Sequence, residues 1–320
     1  MTPWLLSGLG LVILLLAGDA LVRGAVNLSL RLGVPALIVS LTIVAFGTSA
    51  PELLIAISAL KENAPGIALG NVVGSNTANI LLVLGVPALL ATLHTSECDS
   101  RKNYVFMLLA TVLFIGLAFC GVFNLISGAI LLSALALVLW NAFREANAHR
   151  KAIGEACAEE EELEGLEEAD PDMPYWKVSI YLILGLIGLP MGAHLLVDNA
   201  TIIARQYGIS ETVIGLTLIA VGTSLPELAT TVMAALRRQA DVALGNVIGS
   251  NMFNLLAIVG IATWFGKIPV EPEFLRYDLW VMLAASLLLI PFVFFKKDIS
   301  RNWGVALTFL YVMYVTTLLL

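Results

Sequence analysis

The chain has 320 residues, of which 59% are hydrophobic and only 13% charged, and its mean hydropathy is +0.93. A soluble domain carries about a quarter charged residues, so composition excludes that class and indicates a polytopic membrane protein. The net charge of −7 says little about partners: ten of the 24 acids fall between Glu155 and Asp172, and no basic patch points to nucleic acid.

Apolar runs long enough to cross a bilayer recur along the whole chain. Ten spans are expected, near 4–22, 34–60, 65–93, 103–121, 123–142, 177–206, 211–236, 241–265, 277–295 and 303–320. No Lys or Arg precedes Arg23, so the first run lacks the charged start of a cleaved signal peptide and is read as a retained span. Asp19 and Arg23 stand four apart near its end, and His194 and Asp198 occupy the matching place in the sixth span. All four are read as structural, as i,i+4 neighbours on one helix face. Trp and Tyr residues near span ends read as interfacial anchors.

The second and third spans carry a stretch that the chain repeats 175 residues later. The first copy reads TIVAFGTSAPELLIAI from Thr42 and ALGNVVGSNTANILLVLG from Ala68. The second reads TLIAVGTSLPELATTV from Thr217 and ALGNVIGSNMFNLLAIVG from Ala243, in the seventh and eighth spans. Five spans per half is an odd number, so the second half must enter the membrane in the opposite sense. The expected fold is all-α: ten transmembrane helices in two inverted five-helix repeats. Residues 1–142 form one half with its motif at 42–85, and 177–320 form the other with its motif at 217–260. Between them, residues 143–176 hold the acidic stretch, read as a solvated linker in preference to a calcium-collecting or regulatory segment.

Lys and Arg set the orientation. With the amino terminus outside, inner loops hold Arg23, Arg31, Arg101, Lys102, Arg144, Arg150, Lys151, Lys177, Arg237, Arg238, Lys296, Lys297 and Arg301. Only Lys61, Arg205, Lys267 and Arg276 then lie outside. That bias places both termini outside and the acidic loop in the cytoplasm, in a cell membrane. Cys98, Cys120 and Cys157 are scattered and suggest neither a metal site nor disulfides.

The chemistry lies in the repeats. Pro51 and Pro226 each remove a backbone donor, which should free the carbonyls of Gly47 and Gly222 at membrane depth. Thr48 and Glu52 are four apart and share a helix face, as do Thr223 and Glu227. Ser75 with Asn79 and Ser250 with Asn254 add a second polar face, while Gly70, Gly74, Gly245 and Gly249 permit close helix approach. An ionisable residue within a span is a functional-site hypothesis by default. Summed over both copies, these oxygens suit a hard cation taking six to eight oxygen ligands. The repeats contain no His or Cys, which argues against zinc or copper. Two carboxylates balance one divalent ion, and the same oxygens can hold several sodium ions in competition with it.

GTSxPE followed by GNxxGSNxxN, present twice, resembles the alpha repeats of the sodium/calcium exchangers in the calcium/cation antiporter superfamily. The resemblance covers essentially the whole chain. It implies a calcium site formed by Glu52, Glu227, Thr48 and Thr223. It further implies sodium sites completed by Ser75, Ser250 and the carbonyls of Ala45 and Ala220, with Asn79 and Asn254 lining the middle. Some prokaryotic relatives and the potassium-dependent ones have an aspartate where this chain has Asn254. The implied function is sodium/calcium antiport by alternating access, with calcium leaving as sodium enters. The ions are cargo: no cofactor, covalent chemistry or obligate protein partner is implied. The alternatives are a calcium/proton or potassium-assisted exchanger and, from another class, a cation channel using the glutamates as a filter.

Overall fold

The computed structural model describes residues 2–156, 170, 173–208 and 220–319. Eight of its helices are long and apolar enough to cross a membrane. They are α1 (Thr2–Leu32), α2 (Ala36–Lys61), α3 (Pro65–Leu90), α4 (Arg101–Ala118), α5 (Leu125–Arg150), α6 (Tyr175–Gln206), α8 (Ala240–Ala262) and α9 (Phe274–Phe294). Of the ten expected spans, the seventh falls partly outside the described residues. Its described part, α7, consists of the short helices Ala220–Thr223 and Leu225–Leu236. The tenth is the helix α10 (Arg301–Leu319), which is not among the eight. The acidic stretch, including Cys157, lies almost wholly outside the described residues.

The surface matches lipid as solvent. Leu5, Leu16, Ile126 and Leu137 are exposed, whereas residues 242–260 of α8 are buried without interruption. A helix apolar all round that is also buried all round sits at the centre of its bundle. α1 and α6 pack along one another in opposite directions, Gly10 abutting the backbone of Leu196 and Gly24 that of Leu182. α1 also lies on α7, where a Cβ at Gly18 would stand 3.0 Å from the Ala229 carbonyl oxygen.

Contacts recur at positions 175 or 176 apart. Gly85 of α3 meets Gly304 of α10, and Gly260 of α8 meets Gly128 of α5. The same offset relates two backbone pairings in the loops. Leu93 bridges Ile299, and β1 (Val122–Phe123) pairs antiparallel with β2 (Ile268–Pro269), placing Phe123 opposite Ile268. These two-residue strands are the exception to an all-helical chain. They satisfy backbone groups where helices end, since buried N–H and C=O groups must find partners.

Side chains reinforce the first bridge. The Ser96 amide donates to Asp298 at 3.0 Å, and His94 Nδ1 lies 3.1 Å from the same carboxylate. Slight desolvation pushes the Asp298 carboxyl up, but the bonds from Ser96 and His94 outweigh it and hold it below its ordinary value. The clamp's contribution is therefore present above the ordinary aspartate pKa and is lost as pH falls through the folded-state value.

Candidate functional site

The second span is not one continuous α-helix. It runs as Ala36–Val39, a π turn Ser40–Val44, Ala45–Thr48, a break at Ser49, and Ala50–Lys61. α7 breaks at the matching residue, Ser224. Ser49 has φ −84° and ψ 2°, and Ser224 has φ −89° and ψ 4°, both in the sparsely allowed bridge region. The cause is the proline two residues on. It sits in the first turn of the following helix, where its missing N–H costs nothing. Each break thereby puts a glutamate, Glu52 or Glu227, in the first turn of a new helix, at the positive end of its dipole.

The carbonyls differ from the sequence expectation. Those of Ala45 and Gly47 both accept N–H groups of the capping turn, so Pro51 does not leave Gly47 free. Ala45 also accepts a 3.3 Å bond from Thr48 Oγ1, besides the 3.0 Å bond from the Ser49 amide. The single Thr48 hydroxyl proton serves either this carbonyl or Asn246 Oδ1, also 3.3 Å away, so the fixed bond to Ala45 is the one from Ser49. Ala220 opens the helix Ala220–Thr223 at the edge of the described residues.

The two repeats meet at the breaks. Thr48 Oγ1 donates to Asn246 Oδ1 at 3.3 Å and lies 3.4 Å from Ser250 Oγ. Ser49 Oγ donates to Glu227 Oε1 at 3.3 Å. Asn246 Nδ2 donates to the Glu227 carbonyl at 3.4 Å and to Thr231 Oγ1 at 3.3 Å. Glu52 is 1% exposed and Glu227 0%, and the two carboxylates lie close enough to repel each other. Both oxygens of Glu52 and Oε2 of Glu227 are buried without a hydrogen-bond partner among the described residues. A buried charge left like this is costly unless a cation pairs with it.

The remaining predicted residues are spread around this pair. Asn79 donates to Asn251 Oδ1 at 3.1 Å while its own Oδ1 has no partner among the described residues. Asn254 lies in the π turn Phe253–Ile258, and neither of its amide atoms has a partner among the described residues. Such turns inside α-helices are frequent at functional sites. Ser75 is buried in α3. Thr223 faces a cavity of about 210 Å³ whose walls include Pro51, Ile55, Pro190, His194, Asp198 and Pro226.

Sequence reasoning passed over Ser49, Ser224, Asn246 and Asn71. The signal for the last two was present: Asn71, Ser75 and Asn79 are spaced by four, as are Asn246, Ser250 and Asn254, so each set forms one polar helix stripe. The expected Asp19–Arg23 pair forms. Arg23 Nε donates to Asp19 Oδ2 at 3.0 Å, and Arg237 pairs with the other Asp19 oxygen. His194 and Asp198 line the cavity.

The donors gathered here are hydroxyl, amide and carboxylate oxygens. Among the described residues no three His, Cys, Asp or Glu side chains cluster as a metal site. Such a set suits a hard cation that exchanges its water for weak oxygen ligands, and not a tightly held transition metal.

Comparison with known proteins decides the family. The sequence model described as sodium/calcium exchanger protein matches residues 2–144 and 177–320. The chain belongs to the sodium/calcium exchanger family. As a member of a family of exchangers it is a transporter and not an enzyme. It is 34% identical to the sodium/calcium exchanger MaX1 of Methanosarcina acetivorans over 97% of this chain and 96% of that one. A solved structure of the sodium-calcium exchanger NCX_Mj, soaked with 2.5 mM Na+ and 0.1 mM Ca2+, aligns with a TM-score of 0.82 at 31% identity. That alignment covers 99% of each chain. The exchanger is also 26% identical to the Ca(2+)/H(+) antiporter ChaA of Bacillus subtilis over 80% of its length and 75% of ChaA.

Proposed function

We infer that this exchanger is a sodium/calcium antiporter that exports calcium as sodium enters, by alternating access at one shared site. The observation that carries the reading is the pair Glu52 and Glu227. They sit at matched helix breaks, with three of their four carboxylate oxygens buried and without a partner among the described residues. In this reading calcium is held by both carboxylates with Thr48 and Thr223. Sodium ions spread over Ser75, Ser250 and the Ala45 and Ala220 carbonyls, with Asn79 and Asn254 alongside. Similarity to MaX1 and NCX_Mj supports this choice of ions.

The inverted five-helix halves, 1–142 and 177–320, remain our reading of the architecture. The contacts that recur at 175–176 residues support it, as does the antiparallel pairing of α1 with α6, the first helix of each half. A single chain with inverted repeats favours alternating access over a channel, whose filters are commonly built around a symmetric pore. The positive-inside bias puts both termini outside and residues 143–176 in the cytoplasm of a cell membrane.

The coupling ion follows from charge. With Asn79 and Asn254 neutral, the site has two carboxylates, which balance one calcium ion; adding potassium to that load leaves excess positive charge where it is poorly screened. Sodium-loaded proteoliposomes should therefore take up calcium in choline medium with no potassium on either side. An absolute need for potassium would sink the assignment. Full uptake driven by a proton gradient alone would favour the second reading, proton coupling, which the likeness to ChaA keeps in view. Asn254→Asp should change monovalent-ion dependence more than it changes folding.

The acidic stretch is expected to be dispensable, because its composition cannot bury a core. Replacing residues 155–172 by a neutral linker should leave exchange intact, and loss of uptake would make the stretch functional. With Cys98 and Cys120 replaced, Cys157 should resist membrane-impermeant thiol reagents in intact cells. Labelling there would overturn the orientation.

A further inference from the structure

The offset of 175 residues that superposes the repeats also maps Asp19 onto His194, Arg23 onto Asp198 and Arg237 onto Glu62. Each step replaces an acidic group by a basic one or the reverse. The first set is assembled: Asp19 takes a 3.0 Å bond from Arg23 and pairs through its other oxygen with Arg237. The second set is not. His194, Asp198 and Glu62 are exposed, and no hydrogen bond or ion pair joins them to one another.

Helix packing follows the same asymmetry. α1 is drawn onto α7, with Gly18 against the Ala229 backbone. α6 touches the first part of α2, where Leu186 packs against Gly47, but the part after the break, Ala50–Lys61, is separated from it by the cavity, with Pro51 and Ile55 on one wall and Pro190, His194 and Asp198 on the other. Leu54, which corresponds to Ala229, is 67% exposed.

We propose that the two sets are alternating latches of opposite polarity: Asp19–Arg23–Arg237 fastens α1 to α7, and His194–Asp198–Glu62 fastens α6 to α2 when the first has opened. The proposal rests on the alternating-access reading and deepens it. Inverted repeats switch by exchanging the contacts of equivalent elements around a fixed site. In the exchanged conformation α6 packs on α2 as α1 now packs on α7. His194 then meets Glu62 at the end of α2, as Asp19 now meets Arg237 at the end of α7. The imidazole donates an N–H to the Glu62 carboxylate in either protonation state. Partly exposed pairs are weak, which suits a gate that must open in every cycle: each latch supplies a several-fold bias to a two-state equilibrium.

The test is reciprocal cross-linking in the full-length chain. Cys98, Cys120 and Cys157 are replaced by Ser, and Glu62→Cys/His194→Cys and Asp19→Cys/Arg237→Cys are made as separate pairs. Each protein is reconstituted and oxidised without any ion gradient. It is then cut at a protease site built into residues 157–169, so that the two parts stay joined only through a disulfide. Both pairs should cross-link. Arg237→Gln should raise the 62–194 yield several-fold, and Glu62→Gln should raise the 19–237 yield in the same way. Because Glu62 is exposed, the second arm survives if Arg237→Gln does not fold. A 62–194 pair that never joins while 19–237 does would overturn the proposal. So would yields indifferent to the opposite latch. Sodium-driven calcium uptake is measured in the same vesicles containing the unsubstituted chain. Reciprocal cross-linking without such uptake keeps the latches and overturns the ion assignment, and uptake without reciprocity does the converse.

Discussion

Replacing Glu52 or Glu227 by Gln should abolish calcium exchange while leaving the protein folded. Each carboxylate is buried, and together they have three oxygens without a partner among the described residues, so a divalent ion is balanced only when both are charged. Removing one member of a buried charge pair costs about 3–5 kcal/mol. That corresponds to roughly two to four orders of magnitude in calcium affinity. The amide keeps the shape of the side chain, and without the ion it relieves the repulsion between the two carboxylates. Detergent gel filtration should therefore show an unchanged compact peak, with thermal stability equal or higher in the absence of calcium. Added calcium should stabilise the unsubstituted protein and fail to stabilise either variant. Near-normal exchange by either variant would remove these residues from the site. Thr48→Ala and Thr223→Ala should be milder, because each removes one neutral oxygen among several.

Much of this was legible in the chain, and what was not has physical reasons. Composition and the repeat give a membrane protein with paired glutamates. The prolines locate the breaks at Ser49 and Ser224 to within two residues. The sequence could not place the two repeats against each other, because contacts such as Thr48 with Asn246 or Ser49 with Glu227 join segments nearly two hundred residues apart. Nor could a period of four betray the π turns at Ser40–Val44 and Phe253–Ile258. Each adds a residue to one turn and rotates every later side chain relative to earlier ones. The Gly47 carbonyl illustrates a further limit. Loss of the Pro51 donor is certain from sequence, but the bridge conformation at Ser49 lets another N–H of the turn take its place. His194 and Asp198 look like a local pair by spacing. Their surroundings depend on how far α6 stands from α2, and spacing along one helix carries no information about that.

Gly249→Val should be severely damaging, and Gly245→Val nearly so. α8 crosses the first part of α2 with almost no space between the backbones. A Cβ at Gly245 would lie 2.7 Å from the Leu37 carbonyl oxygen and 2.8 Å from Ser40 Cβ. One at Gly249 would collide with the Leu41 carbonyl oxygen and stand 2.6 Å from Ala45 Cβ. The obstacles are largely backbone, which cannot rotate aside as a side chain does. The crossing is also pinned by Ser40 Oγ donating to the Val242 carbonyl at 2.7 Å. Overpacking typically costs about 1–3 kcal/mol, and a rigid contact between two buried helices belongs at the upper end. The same crossing brings Asn246 and Ser250 to Thr48, so forcing α8 outward also separates the site's oxygens. Gly249→Val should accordingly lower thermal stability in detergent and weaken calcium binding together. A harmless Gly249→Val would show that α8 and α2 stand further apart than this crossing requires.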